Sequence, residues 1–234
     1  MVPAAETQKA LRQTFTRWGL PAHIRVDNGS PWGSPRGDLP SELALWLIGL
    51  GVDVLWNDAR RPQQNGVVER SQGTGKQWAE PGTCSDAAEL QSRIDIMDNI
   101  QRDEYPSIHG KSRREAFPGL AHSGRAYREG QEPSLWSLAP VLNHLSGYTV
   151  VRQVTDNGSI SLGNRSRYVN AKLKGKHAYV TLDPVSVEWV VADKDGICHN
   201  WIKADELTAE RVIGLDVYHH RTRHTASGKS RCPN

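Results

Sequence analysis

Between residues 43 and 48 the chain reads Leu43-Ala44-Leu45-Trp46-Leu47-Ile48, apolar on every side of a helix rather than along one stripe. A helix of that kind is buried all round, so other elements must cover it. Short apolar runs suited to strands flank it: Ile24-Arg25-Val26 before it, and Val52-Asp53-Val54-Leu55-Trp56 after Gly51. Upstream, Leu11, Phe15 and Trp18 recur at helical spacing until Gly19 and Pro21 stop the pattern, which predicts a helix over residues 5–18. A further helix is predicted to begin near Gln63 or Gln64, just after Pro62. Pro31, Gly33, Pro35, Gly37 and Pro40 make the segment before the buried helix an irregular loop. The order helix, strand, loop, helix, strand, helix implies a parallel βαβ unit.

Beyond residue 80 the pattern changes twice. A helix is predicted over residues 85–104, with Leu90, Ile94, Met97 and Ile100 or Gln101 on one side, and residues 105–133, rich in Pro, Gly and charge, read as a connector. From Tyr148 onward there are short β runs at 148–151, 159–162, 167–169, 178–182, 188–191 and 197–202, each bounded by turn residues. That spacing suggests a small antiparallel β-barrel. Asp156-Asn157-Gly158, lying between alternating runs, reads as a hairpin turn. The fold class expected is α+β: a partial α/β core over 1–80, a helical connector over 81–140, the small antiparallel β-barrel over 141–213, and a basic disordered tail over 214–234.

A chain of 234 residues has room for one or two domains, and 24% charged with 37% hydrophobic residues argues for a globular protein. No apolar run approaches the roughly 18 residues needed to cross a membrane. Residues 1–10 have neither the basic nor the apolar region of a signal peptide. Cys84, Cys198 and Cys232 are odd in number and far apart, as expected of reduced thiols in a cytoplasmic protein. The net charge of +3 conceals an asymmetry, because Arg221, Arg223, Lys229 and Arg231 lie in an acid-free C-terminal stretch and the rest sums to −1. His219, His220 and His224 among those arginines read as part of the basic tail rather than as a metal site. A second acid-free stretch holds Arg165, Arg167, Lys172, Lys174 and Lys176 around Tyr168. Cations interleaved with an aromatic suit phosphate contact and base stacking, so these six are candidate DNA-binding residues and DNA is the expected partner.

Two carboxylates stand in distinctive settings. Asp27 lies in Gly19-Leu20-Pro21-Ala22-His23-Ile24-Arg25-Val26-Asp27-Asn28-Gly29, and Glu69 in Arg61-Pro62-Gln63-Gln64-Asn65-Gly66-Val67-Val68-Glu69-Arg70. An isolated Asp-Asn-Gly is most often a turn, but the two segments in this order, with the buried helix and second strand between them, resemble the RNase H-like catalytic core of DDE transposases and retroviral-type integrases over residues 3–80. The resemblance implies metal-dependent hydrolysis and strand transfer at DNA 3′ ends. It makes Asp27 and Glu69 catalytic ligands of Mg²⁺ or Mn²⁺. Lys76, two helical turns beyond Glu69, becomes a DNA phosphate contact. It also implies assembly with other transposase subunits or copies of itself, and a bacterial cytoplasmic setting.

Hard divalent ions take oxygen ligands, and the carboxyl end of a strand is where open α/β sheets place their sites. Relatives carry a leading aspartate on strands ahead of the first helix, so the chain is expected to be an N-terminally truncated core that performs no strand transfer alone. After Glu69-Arg70 the sequence departs from the family in Ser71-Gln72-Gly73-Thr74-Gly75-Lys76. Each glycine costs about 1 kcal/mol in a helix interior, so this helix is expected to be short or frayed. The second half, notably Asn157-Gly158-Ser159-Ile160-Ser161-Leu162-Gly163-Asn164-Arg165 and Tyr168-Val169, resembles the small C-terminal barrel of bacterial transposases of the phage Mu and insertion-sequence types. The alternative reading is a non-catalytic DNA-binding fragment that modulates a full-length transposase.

Overall fold

The computed structural model describes residues 2–33, 39–58 and 66–218. The fold is α+β, in two compact units that divide between Val141 and Leu142.

The first unit is organised around the apolar segment. α1 (Ala4–Trp18) ends at Gly19, whose φ of 76° sets the exit and whose N–H closes on the Phe15 carbonyl at 2.8 Å. β1 (His23–Val26) leads through the loop to α2 (Glu42–Gly49), where Ser41 caps the helix by accepting from the Ala44 N–H at 3.3 Å. Every residue of α2 from Leu43 to Gly49 is buried. β2 (Asp53–Trp56) then pairs with β1 in parallel, in the register His23↔Asp53 to Val26↔Trp56, with α2 as the crossover. The predicted βαβ unit is therefore present.

Cover for α2 comes from both directions of the sequence. Phe15 of α1 stacks on Trp46 at 6.0 Å and meets Tyr127 edge-on at 5.7 Å. Trp136 closes the far end, donating its indole N–H to the Trp46 carbonyl at 3.1 Å. A Cβ on Gly49 would lie 2.0 Å from the Trp136 ring, so the glycine is what lets the indole sit there. Arg125 donates to the carbonyls of Pro21, Leu50 and Gly51 at 2.8–2.9 Å and so fastens its own segment to the loops beside β1 and β2. Arg125, Tyr127 and Trp136 thus belong to the wall around α2, so the C-terminal part of the segment expected as a connector packs into the unit's core. A helix apolar on all sides needs covering, and they supply part of the cover.

α3 (Gly66–Ala79) and α4 (Ala87–Asp103) pack against each other. α4 is capped by Asp86, which accepts from the Glu89 N–H at 2.8 Å. α5 (Arg113–Ala116) starts with a capping box between Ser112 and Glu115, followed by α6 (Glu132–Leu135) and α7 (Leu138–Ser146). The predicted start of α3 near Gln63 or Gln64 lies outside the described residues. The expected fraying does not occur: α3 runs unbroken through Gly73 and Gly75. Packing overrides propensity, since a Cβ on Gly75 would sit 3.6 Å from the Met97 side chain of α4. A Cβ on Gly73 would meet nothing within 4 Å. Gly73→Ala should accordingly stabilise the unit by about 0.5–1 kcal/mol. Thermal unfolding would show this as a higher midpoint, and a lower one would mean that the helix does not continue through residue 73.

The second unit holds β3 (Val150–Gln153), β4 (Ser159–Leu162), β5 (Arg165–Tyr168), β6 (His177–Asp183), β7 (Glu188–Ala192), β8 (Cys198–Lys203) and α8 (Ala209–Ile213). The expected barrel is not closed by backbone pairing. The strands form a four-stranded antiparallel sheet in the order β3-β6-β7-β8 and a separate β4-β5 hairpin. Gly163 and Asn164 turn that hairpin with φ of 56° and 58°, the double positive φ of a tight two-residue turn that coils the strands strongly. Side chains span both seams. Arg152 of β3 donates to the Ser161 carbonyl at 2.8 Å, and Asn200 of β8 donates to the Tyr168 carbonyl at 3.1 Å.

The turn at Asp156-Asn157-Gly158 is real, with the Gly158 N–H on the Thr155 carbonyl at 3.0 Å, but the strands it joins do not pair with each other. Val180, Leu182, Trp189 and Val191 form the inner face of the sheet. Leu215 and Val217 are buried too, so the chain stays packed beyond residue 214, where the tail was expected to begin. Residues 219–234, with the rest of that predicted tail and Cys232, lie outside the described residues, and Cys84 and Cys198 are free thiols. Among the described residues no helix is long and apolar enough to cross a membrane.

Candidate functional site

The parallel register brings the carboxyl ends of β1 and β2 level with each other. The Asn57 N–H reaches the Val26 carbonyl at 2.9 Å, extending the ladder by one bond, and Asn28 donates its side-chain amide to the Asn57 carbonyl at 2.8 Å. Asp27 sits in that frame, directly after β1. One of its carboxylate oxygens accepts from the Gly29 N–H at 3.0 Å, and the side chain is exposed. The loop beyond is tied down where Trp56 donates its indole N–H to the Gly33 carbonyl at 2.9 Å. Asp27 therefore stands exposed at the strand end, with one carboxylate oxygen held by the Gly29 N–H.

Glu69 lies in the first turn of α3 and is exposed. A carboxylate there is favoured by the positive end of the helix dipole. Lys76 is exposed two turns further on and shares its side of the helix, while Gly75 and Ala79 face α4. The preceding Arg61-Pro62-Gln63-Gln64-Asn65 segment lies outside the described residues. No hydrogen bond or ion pair joins Asp27, Glu69 and Lys76, and no cluster of three or more His, Cys, Asp or Glu is built for a metal, among the described residues. Two carboxylates nevertheless fit a hard divalent ion in donor type. Mg²⁺ is commonly held by one or two carboxylates, with water and substrate phosphate filling the other positions.

The basic stretch of the second unit separates into two sets. In β5 the alternation Arg165-Ser166-Arg167-Tyr168 puts both arginines on one face, and their cross-strand partners are Leu162 and Ile160, which are buried. That face points inward. Arg167 makes a close ion pair with Glu206 and donates to the Lys203 carbonyl at 3.1 Å, while Arg165 reaches the Val217 carbonyl at 3.4 Å. Arg167 is thereby committed to the fold and is not a free phosphate contact, and Arg165 lies beside it on the inward face. Tyr168, on the opposite face, is 60% exposed. Lys172, Lys174 and Lys176 follow, all exposed; Lys174 pairs at 3.2 Å with Asp156 in a surface bridge of little worth.

Sequence reasoning passed over one surface feature of the first unit. Arg70, Thr74 and Trp78 of α3, with Tyr105 and Arg113 across from them, line an open groove of about 560 Å³. Its signal was the spacing of four between Arg70, Thr74 and Trp78, which aligns them along one side of a helix. No family model matches the chain.

Proposed function

We propose that this chain acts on DNA in the manner of the integrase and transposase superfamily, with Asp27 and Glu69 as ligands of Mg²⁺ or Mn²⁺ in an RNase H-like core. The observation that carries this reading is the position of Asp27. It stands at the carboxyl end of β1 in a parallel β1-α2-β2 unit, and the helix that follows bears Glu69 in its first turn. Bound there, a divalent ion would neutralise phosphate charge as a DNA 3′ hydroxyl attacks in line. Asp27, fixed by the Gly29 N–H, would supply one oxygen, and Lys76 would approach the phosphate backbone on the same side of α3 as Glu69.

Exposed Lys172, Lys174 and Lys176 supply the phosphate contacts of the second unit, with Tyr168 as a stacking surface. Binding to duplex DNA should weaken with salt, and converting the three lysines to glutamine should reduce the magnitude of the log–log slope by roughly 3. An unchanged slope would remove the segment from the interface. The absence of a three-carboxylate cluster among the described residues favours a second reading, a DNA-binding fragment that modulates a complete transposase. Joining of a 3′-processed end by residues 1–234, lost in Glu69→Gln, would exclude that second reading. DNA binding with no joining, restored by a polypeptide carrying a further aspartate, is what the two-carboxylate site predicts.

A further inference from the structure

The groove beside α3 lies on a different side of that helix from Glu69 and Lys76, and nothing in the proposed reaction uses it. Arg70, Thr74 and Trp78 rise along one wall, and Tyr105, just beyond α4, and Arg113, at the start of α5, stand on the other. Trp78 and Tyr105 meet edge to face at 5.7 Å and 88°, yet they remain 40% and 49% exposed. An edge-to-face pair covers only one ring face, so aromatic surface is left open to solvent. Neither arginine has a carboxylate partner, and no carboxylate lines the groove, among the described residues. Its volume is within the range of ordinary ligand sites.

Open aromatic faces beside unneutralised guanidinium groups match one kind of ligand closely: a flat ring joined to a phosphate. We infer that this groove takes an unpaired nucleotide of a DNA or RNA strand, the base stacking on Trp78, with Tyr105 bracing that ring edge to face, and the neighbouring phosphate lying between Arg70 and Arg113. A base inside a duplex is stacked on both faces and cannot enter. An acidic peptide would satisfy the arginines but would leave the rings uncovered. This goes beyond the proposed reaction, because it requires neither Asp27 nor Glu69.

The test uses the whole chain and fluorescence anisotropy with three labelled probes of equal length: an oligothymidylate strand, an abasic strand with the same phosphates, and a duplex. The thymidylate strand should bind about ten-fold more tightly than the abasic one, and Trp78→Ala should remove that advantage while Trp78→Phe keeps most of it. Arg70→Gln with Arg113→Gln should weaken both single strands alike. Equal binding of the abasic and thymidylate strands by the unaltered protein would overturn the inference, and that comparison needs no variant to fold. So would a folded Trp78→Ala variant that retains the preference, or an acidic peptide that displaces the strand at equal concentration. Duplex binding that depends on Lys172, Lys174 and Lys176, with no preference for bases over abasic sites, would sink this inference and leave the proposed function standing. Base-dependent strand binding with no duplex binding would do the reverse.

Discussion

Glu132→Ala should destabilise the first unit by about 3–5 kcal/mol, as expected when one partner of a buried ion pair is removed. The Glu132 side chain is only 2% exposed and receives two bonds from Arg12, Nε to Oε2 at 3.0 Å and Nη2 to Oε1 at 2.6 Å. The Tyr127 hydroxyl makes a third, very short bond to the same carboxylate. Alanine would leave a guanidinium that is largely out of water without its counter-charge, and a buried hydroxyl without its acceptor. Burial alone pushes the Glu132 carboxyl up, but the bonds from Arg12 and Tyr127 outweigh it and hold the group below the ordinary glutamate range. The stabilisation is therefore fully present above the unfolded value of about 4.3 and is lost as pH falls through the lower folded value. Denaturant titration of the wild type should show stability dropping on acidification below pH about 4, and Glu132→Ala should lack that component of the drop. A variant as stable as the parent would mean that the carboxylate is not the clamp between α1 and α6.

In the second unit Glu206→Ala should cost a similar amount, about 3–5 kcal/mol. Glu206 is 3% exposed, accepts the indole N–H of the fully buried Trp189 at 2.9 Å, and holds the guanidinium of Arg167. Without it Trp189 keeps a buried donor with no acceptor, and Arg167 keeps an inward-facing charge. Glu206→Gln retains an acceptor for the indole and should lose less. Lys172→Gln, on the surface, should stay within about 0.5 kcal/mol of the parent. The order Lys172→Gln, Glu206→Gln, Glu206→Ala in chemical denaturation follows from these contacts. An Arg167→Gln variant that unfolds no more readily than Lys172→Gln would return Arg167 to the set of free surface cations.

Local pattern made much of this fold legible. The helices and strands around Leu43–Ile48 appear where periodicity put them, because α1 is amphipathic, α2 is apolar throughout, and Gly19 and Gly51 punctuate them. The β runs of the second unit lie within about two residues of their expected positions, since alternation is a local property. Pairing is not local. β3 pairs with β6 across an intervening hairpin, so an even spacing of short strands suggests a small barrel where the backbone ladder is open. The Arg12–Glu132 clamp joins residues 120 positions apart and left no trace in the sequence around either. Residues 105–133 read as a connector in the sequence because Arg125 and Tyr127 are isolated among Pro, Gly and charge. Composition groups Arg165 and Arg167 with the lysines, although period-two alternation opposite Ile160 and Leu162 implies that they face inward. For the candidate site, the sequence placed Asp27 at a strand end and Glu69 on a helix, but said nothing of the space between them.

The most direct measurement is a Mn²⁺ titration of the folded chain followed by paramagnetic broadening of backbone amide signals. An ion shared by Asp27 and Glu69 broadens residues 27–29 and the first turn of α3 together, along one saturation curve, and Asp27→Asn or Glu69→Gln abolishes the effect at both places. Broadening confined to one of the two segments, or surviving at Asp27 in Glu69→Gln, would contradict a shared metal site and with it the assignment of these carboxylates to DNA strand transfer.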